Sequence, residues 1–242
     1  MNLFWLLLLA HFIADFPLQS DKIFALKSKY KWGVLPHIFI SFITNLVVAF
    51  PYLGFKNFWY AILFLFSIHF LLDWLKVVLT KSFLRDSMFI FLFDQMLHVF
   101  FIWLTCFYLF DIPQPDIKNK LITNYYLNKK VILILTGLVF SMFGGGVLIH
   151  YIRKIIHRIK TKESGEQVVF PKMNKRRIGY IERFFSTFGV IFGGWLLILV
   201  PLAFLPRIVI LGKTENQEYL MINLVAGLSI TIGTGIFIHL LW

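Results

Sequence analysis

Three pairs of ionisable residues stand four positions apart in apolar surroundings: His11 and Asp15, His69 and Asp73, and Asp94 and His98. Residues at that spacing leave a helix on one face, so each pair presents an imidazole and a carboxylate in the same direction. Brought to one place, three imidazoles and three carboxylates can hold one or two divalent ions. That donor set suits Zn or Mn more than Mg, although the carboxylates would help a harder ion. Water acidified toward neutral pH by such an ion attacks an ester or phosphoester, and a carboxylate not spent on binding takes its proton. The candidate catalytic residues are therefore Asp15, Asp73 and Asp94, and the candidate metal ligands are His11, Asp15, His69, Asp73, Asp94 and His98. Lys76 lies three residues beyond Asp73 on roughly the same face, where a phosphate would enter, and Lys22 is a second cation for that role. Gln95 points about 100° away from Asp94, which makes it a substrate-contacting candidate. His37 follows Pro36 at a helix start and is expected at the mouth of the site, also as a substrate contact.

The elements that must position these residues are membrane helices. Of the 242 residues 59% are hydrophobic and only 15% charged, too apolar a balance for a water-soluble fold of this size. Twenty-nine Phe argue against disorder, and a single Cys excludes a disulfide scaffold. Crossing a bilayer takes roughly 20 apolar residues. Such stretches at 3–20, 35–55, 58–80, 88–110, 130–152, 184–206 and 219–241 predict an all-α, polytopic transmembrane bundle of about seven spans. The first lacks the positive start and cleavage site of a signal peptide and carries His11 and Asp15, so it counts as a span. The predicted organisation is a four-helix unit over 1–110 that carries the site, an outer loop and fifth span over 111–152, a basic cytoplasmic loop over 153–183, and C-terminal membrane helices over 184–242.

Lys and Arg set the expected orientation. With the N-terminus outside and the C-terminus cytoplasmic, fifteen basic residues fall in the cytoplasmic loops and seven in the opposite ones. This bias, together with anionic lipid headgroups attracted to the basic loop, accounts for the net charge of +12. Expected partners are the bilayer, those headgroups at 153–177, and, left open, a second copy in a homo-oligomer. No nucleic acid is expected, because no aromatic interleaving or binding module accompanies Lys172, Lys175, Arg176 and Arg177. The same orientation puts every aspartate of the three pairs about 6 Å to the cytoplasmic side of its histidine, since chain direction and residue order reverse together. A lone aspartate in the bilayer costs from ~2.5 kcal/mol upward, so three at one depth mark a site.

Toward the C-terminus, Gly227, Thr231 and Gly235 form a small-xxx-small series that lets helices approach closely. Glu182 and Arg183 are placed at the start of the sixth span, where a helix N-terminus favours an acid.

His11-x-x-x-Asp15-Phe16-x-Leu18-Gln19, His37, His69-x-x-x-Asp73-x-x-Lys76 and Asp94-Gln95-x-x-His98 together resemble a family of bacterial integral-membrane proteins catalogued as a domain of unknown function. The likeness covers roughly residues 1–110, and Ile178-Gly179-Tyr180-Ile181-Glu182-Arg183 resembles an Ile-Gly-x-Leu-Glu-Arg segment of longer members. It implies fold and motif in a bacterial inner membrane, without an activity. In composition and placement the His/Asp pattern is also similar to membrane-bound metal-dependent hydrolases. Three functions follow from these residues: a metal-dependent hydrolase or phosphotransferase acting on an amphiphile from the cytoplasmic side, a proton- or cation-coupled carrier using the same residues, and a scaffold with a basic cytoplasmic loop. The first accounts best for the shared depth and the flanking cations.

Overall fold

A computed structural model describes residues 2–30, 32–82, 87–120, 122–161, 173–212 and 216–241. They are mainly helical, with no strand among the described residues, and the chain divides into two compact units, Met1–Ile132 and Leu133–Trp242.

The first unit contains α1 (Asn2–Asp15), α2 (Asp21–Lys29), α3 (Leu35–Val48), α4 (Lys56–Ser82) and α5 (Met88–Leu104). The helix α1 is apolar on nearly every side and ends two residues before Pro17, whose ring disfavours helical backbone at Phe16. Ser20 then caps α2 by accepting from the Ile23 amide, Asp21 sits in the first turn, and Lys27 and Lys29 occupy the last, all in the sense the helix dipole favours. Between α2 and α3 the chain turns at Gly33, where a Cβ would overlap the carbonyl of Leu26. Only glycine permits that approach, and it folds α2 back toward the start of α3. Pro36 opens α3, whose buried face carries His37, Ile38, Ser41 and Thr44. Val34, Ile38 and Val77 pack together with Phe66, Phe70 and Trp74, which fixes the start of α3 against α4. Ser87 caps α5, and its buried face carries Phe91, Asp94, His98 and Ile102. Helix α1 packs on α3 and α5, and α4 packs on both α3 and α5. Three polar faces therefore meet that of α1 in one interior.

The second unit takes up the helix α6 (Lys129–Val139) at Leu133 and continues through a π-helical turn (Phe140–Gly144) into α7 (Gly145–Thr161), α8 (Met173–Phe192), α9 (Leu199–Pro206) and α10 (Gln217–Leu241). The π-turn leaves carbonyls without their usual helical partners, and Arg183 donates to those of Ser141 and Met142 at 2.7–3.1 Å. Gly145 and Gly146 give the guanidinium room. Gly227 of α10 faces Phe204 and Gly235 faces Val190, the close packing that the small-residue series predicts.

Two expectations are corrected in this half. Glu182 is not at a helix N-terminus: α8 begins at Met173, and Glu182 is a fully buried mid-helix residue that accepts from Arg207 at 2.9 and 3.0 Å. Nor is 184–206 one continuous span, because α8 stops at Phe192 and the chain turns through Gly193 and Gly194, both with positive φ.

Among the described residues, four helical segments are long and apolar enough to cross a membrane: Lys56–Thr80, Met88–Leu109, Lys129–Lys160 and Gln217–Leu241. The other three predicted spans fall on shorter apolar segments, Asn2–Asp15, Leu35–Val48 and Gly194–Ile210. A 14-residue helix rises only about 21 Å against the ~30 Å of a hydrocarbon core. Of the predicted loop at 153–183, residues 162–172 lie outside the described residues, while 153–161 continue α7 and 173–183 belong to α8 rather than to a loop.

Candidate metal centre

The three pairs come together inside the first unit, on α1, α4 and α5, and form two layers. In the histidine layer the rings of His69 and His98 lie 4.5 Å apart, His11 and His98 stack at 5.0 Å, and His11 and His69 are 5.6 Å apart. The aspartate layer holds Asp15, Asp73 and Asp94, all at least nine-tenths buried. The layering follows from residue order, since α1 and α4 read His then Asp while α5 reads Asp then His.

His37 enters between the layers from the first turn of α3 and is completely buried. Its Nε2 lies 3.3 Å from Asp15 Oδ1 and 3.5 Å from Asp73 Oδ2. His69 Nε2 lies 3.6 and 3.7 Å from the same two oxygens, and His11 Nδ1 is 3.5 Å from Asp15 Oδ1. Ligands at about 2.0–2.1 Å around a tetrahedral ion stand about 3.3 Å from one another. The distances from His37 and His69 to the two carboxylates, across three helices, are thus those of neighbouring ligands on an ion. Three of these atoms, His37 Nε2, His69 Nε2 and Asp15 Oδ1, make no hydrogen bond although they are buried. Polar atoms in that condition are costly unless something else satisfies them.

The outer nitrogens are held in the way metal ligands usually are. Ser41 Oγ is 3.1 Å from His69 Nδ1. His98 Nδ1 is 2.8 Å from the carbonyl of Asp94, which only accepts, so Nδ1 donates there, and Nε2 is buried without a hydrogen bond. Asp73, Asp94 and His98 form a further group whose ligand atoms lie within 4.8 Å of one another, alongside the groups His11–Asp15–His69 and His37–His69–Asp73.

Two lysines reach the aspartate layer. Lys76 donates to Asp94 at 2.7 Å, so the cation expected to meet a phosphate is paired with a site carboxylate. Lys27 donates to Asp73 at 2.5 Å and is the buried residue among those of α2 whose side chains are described, Ile23 being half-buried and the others exposed. Lys22, the lysine expected from this segment, stays exposed on α2 and makes no ion pair among the described residues. Gln95 donates to Asp15 at 3.0 Å and more distantly to Asp94, bridging two carboxylates rather than pointing away from them. Lys27 and the depth of His37 are what sequence reasoning missed. A buried lysine on α2 could not be singled out from its neighbours at 22 and 29, because the turn at Gly33 decides which of them faces inward.

Residues 3–128 match the family described as Protein of unknown function (DUF3307). The chain belongs to that family. The match is more than half of its length, runs past the 110 residues over which the likeness was expected, and contains every residue of the cluster. No curated protein and no solved structure gives a significant match. The DUF3307 segment coincides closely with the first unit, Met1–Ile132, and so spans the four helices that build the cluster and α2, which adds Lys27 to it.

Proposed function

We propose that this protein is a membrane-embedded, metal-dependent hydrolase or phosphotransferase acting on an amphiphilic, lipid-phosphate-like substrate from the cytoplasmic side. The observation that carries the reading is the set of buried, unpartnered Nε2 and carboxylate atoms at ligand spacing around Asp15 Oδ1. Asp15, His37, His69 and Asp73 would hold one or two divalent ions, Zn or Mn before Mg, with His11 and His98 completing the set and Asp94 left free as the base. When bound, such an ion would supply Lewis acidity, lowering the pKa of water toward neutrality.

The protein's own groups do the rest. Asp94, hydrogen-bonded to Lys76 and outside the tightest shell, takes the proton of the attacking water. The water oxygen bonds to phosphorus, the ester P–O bond breaks, and Asp94 returns the proton to the leaving oxygen. Lys76 and Lys27 exchange a carboxylate oxygen for a substrate phosphate oxygen and hold it. Gln95 keeps Asp15 and Asp94 in register.

Three Asp against two Lys leave the cluster one negative charge in excess when its histidines are neutral. A divalent ion reverses that to one positive charge, which suits an anionic substrate. The proposed setting is the bacterial inner membrane with an odd number of passages, about seven, so that the N-terminus is outside and the C-terminus inside, and the histidines lie nearer mid-membrane than the aspartates.

The test is phosphate release from a panel of lipid and alkyl phosphates in mixed micelles with added Zn or Mn. Hydrolysis that requires the ion and is abolished in Asp15→Asn and Asp94→Asn is the expected result. Proton or cation flux in proteoliposomes, with no hydrolysis of any member of the panel, would overturn the reading in favour of a carrier.

A further inference from the structure

The second unit holds a polar cluster of its own, built on the Ile178-Gly179-Tyr180-Ile181-Glu182-Arg183 stretch of α8. Glu182, Arg183 and Arg207 are each buried to 5% exposure or less. Of the described acidic residues in this unit, Glu218 pairs with Lys160 at the surface, which leaves Glu182 as the carboxylate beside two guanidinium groups. The described cluster is therefore positive by one charge, in a place where an uncompensated charge is costly.

Contacts that build the fold use only part of the two arginines. Arg207 Nε donates to both oxygens of Glu182, and Arg183 donates through Nε and Nη2 to the carbonyls of the π-turn. Two π-helical pieces meet the cluster, the turn at Phe140–Gly144 and the segment Arg207–Leu211, an irregularity frequent at functional sites. Arg183 Nη1 has no such role: it makes no hydrogen bond among the described residues, although its side chain is buried. It is aimed at Gly179, one turn earlier on α8. There the position that a Cβ would take lies 3.0 Å from Arg183 Nη1 and 3.2 Å from Arg207 Nη2. Two donors that close to one point can share one oxyanion, whose charge-assisted bonds run at about 2.7–2.9 Å. Because residue 179 is glycine, no side chain stands between them. Arg176 and Arg177 precede Gly179 on α8, so this end of the helix attracts anions.

We propose that Arg183 and Arg207, converging over Gly179, form an oxyanion site that takes a phosphate group. That chemistry is shared by the headgroup of an anionic lipid and by free orthophosphate. The site lies within the second unit and stands independently of the metal reading.

The experiment uses the full chain in two arms. In detergent, binding of labelled orthophosphate is measured by equilibrium dialysis. In phosphatidylcholine bilayers doped with phosphatidylglycerol, lipid retained by the protein is identified by native mass spectrometry, with and without orthophosphate. Bound orthophosphate without retained lipid assigns the site to the free ion. Retained phosphatidylglycerol that orthophosphate does not displace assigns it to the headgroup. In whichever arm binding is found, Gly179→Ala and Arg183→Lys should each weaken it about tenfold or more, since each removes a charge-assisted contact. Gly179→Ala also favours helix, so it should weaken binding without weakening the fold, which covers the case in which the arginine variant does not fold. Asp15→Asn, in the metal centre, should leave binding unchanged.

No binding in either arm would overturn the proposal, and so would binding that is indifferent to Gly179→Ala. Binding lost in Asp15→Asn but kept in Gly179→Ala would assign the phosphate to the metal centre instead and also overturn it.

Discussion

Ser41 is a small residue with a large predicted effect. Its hydroxyl meets His69 Nδ1, and the orientation of that ring decides where His69 Nε2 points. Groups that orient a ligand from behind are typically worth about 10–100-fold in metal affinity. Ser41→Ala should weaken Zn binding by that factor, read by competition with a chromophoric chelator, while the helical signal stays unchanged. The three His/Asp pairs could be read from the sequence because a four-residue spacing is a local property of a helix. Lys27, Ser41 and the inward depth of His37 could not be, since each depends on how α2 and α3 dock on α4. Lys27 reaches Asp73 across 46 residues, and Ser41 reaches His69 across 28. His37 was expected at the mouth because Pro36 starts its helix, and the start was read correctly. What the start could not reveal is that α3 begins inside the cluster, because α2 lies outside it.

Among the elements, the tie between α2 and the site is the most exposed to test. Apart from Lys27, α2 has little buried, and Gly33 is the residue that lets it fold back over the start of α3. Gly33→Ala should push the Leu26 carbonyl away, withdraw Lys27 from Asp73 and loosen α2. Hydrogen exchange should speed up over 21–29 and stay unchanged in α4 and α5. Unchanged exchange over 21–29 would mean that the ion pair alone holds α2. Hydropathy counts seven apolar stretches where four described helices are long enough to cross, for a physical reason. The helix α1 is apolar all round because it is enclosed by its neighbours, with Leu6, Leu7, Ala10 and Ala14 almost wholly buried. An enclosed helix of 14 residues and a lipid-facing span of 20 have the same composition, and length is what separates them. At 184–206 the apolar run conceals a break, because Gly193 and Gly194 read as packing residues in a window average and act as a turn in the chain.

For the whole molecule, the apolar excess and the basic bias of its loops predict the arrangement in the bilayer. On a Cys106→Ser background, cysteines placed at Asn119 and at Lys160 bracket α6 and α7, the long apolar stretch Lys129–Lys160. An impermeant maleimide should label position 119 in intact cells and position 160 only after lysis; the reverse pattern would invert the orientation and place the lysine layer outside.

The central claim is that the buried cluster around Asp15 is a metal centre. Its most direct test is the metal content of the full-length protein purified in detergent without chelator, determined by inductively coupled plasma mass spectrometry beside Asp15→Asn and His69→Ala. The account predicts stoichiometric Zn or Mn in the wild type and its loss in both variants, with all three proteins equally helical. A folded wild-type protein without stoichiometric metal, or variants that keep it, would contradict the account.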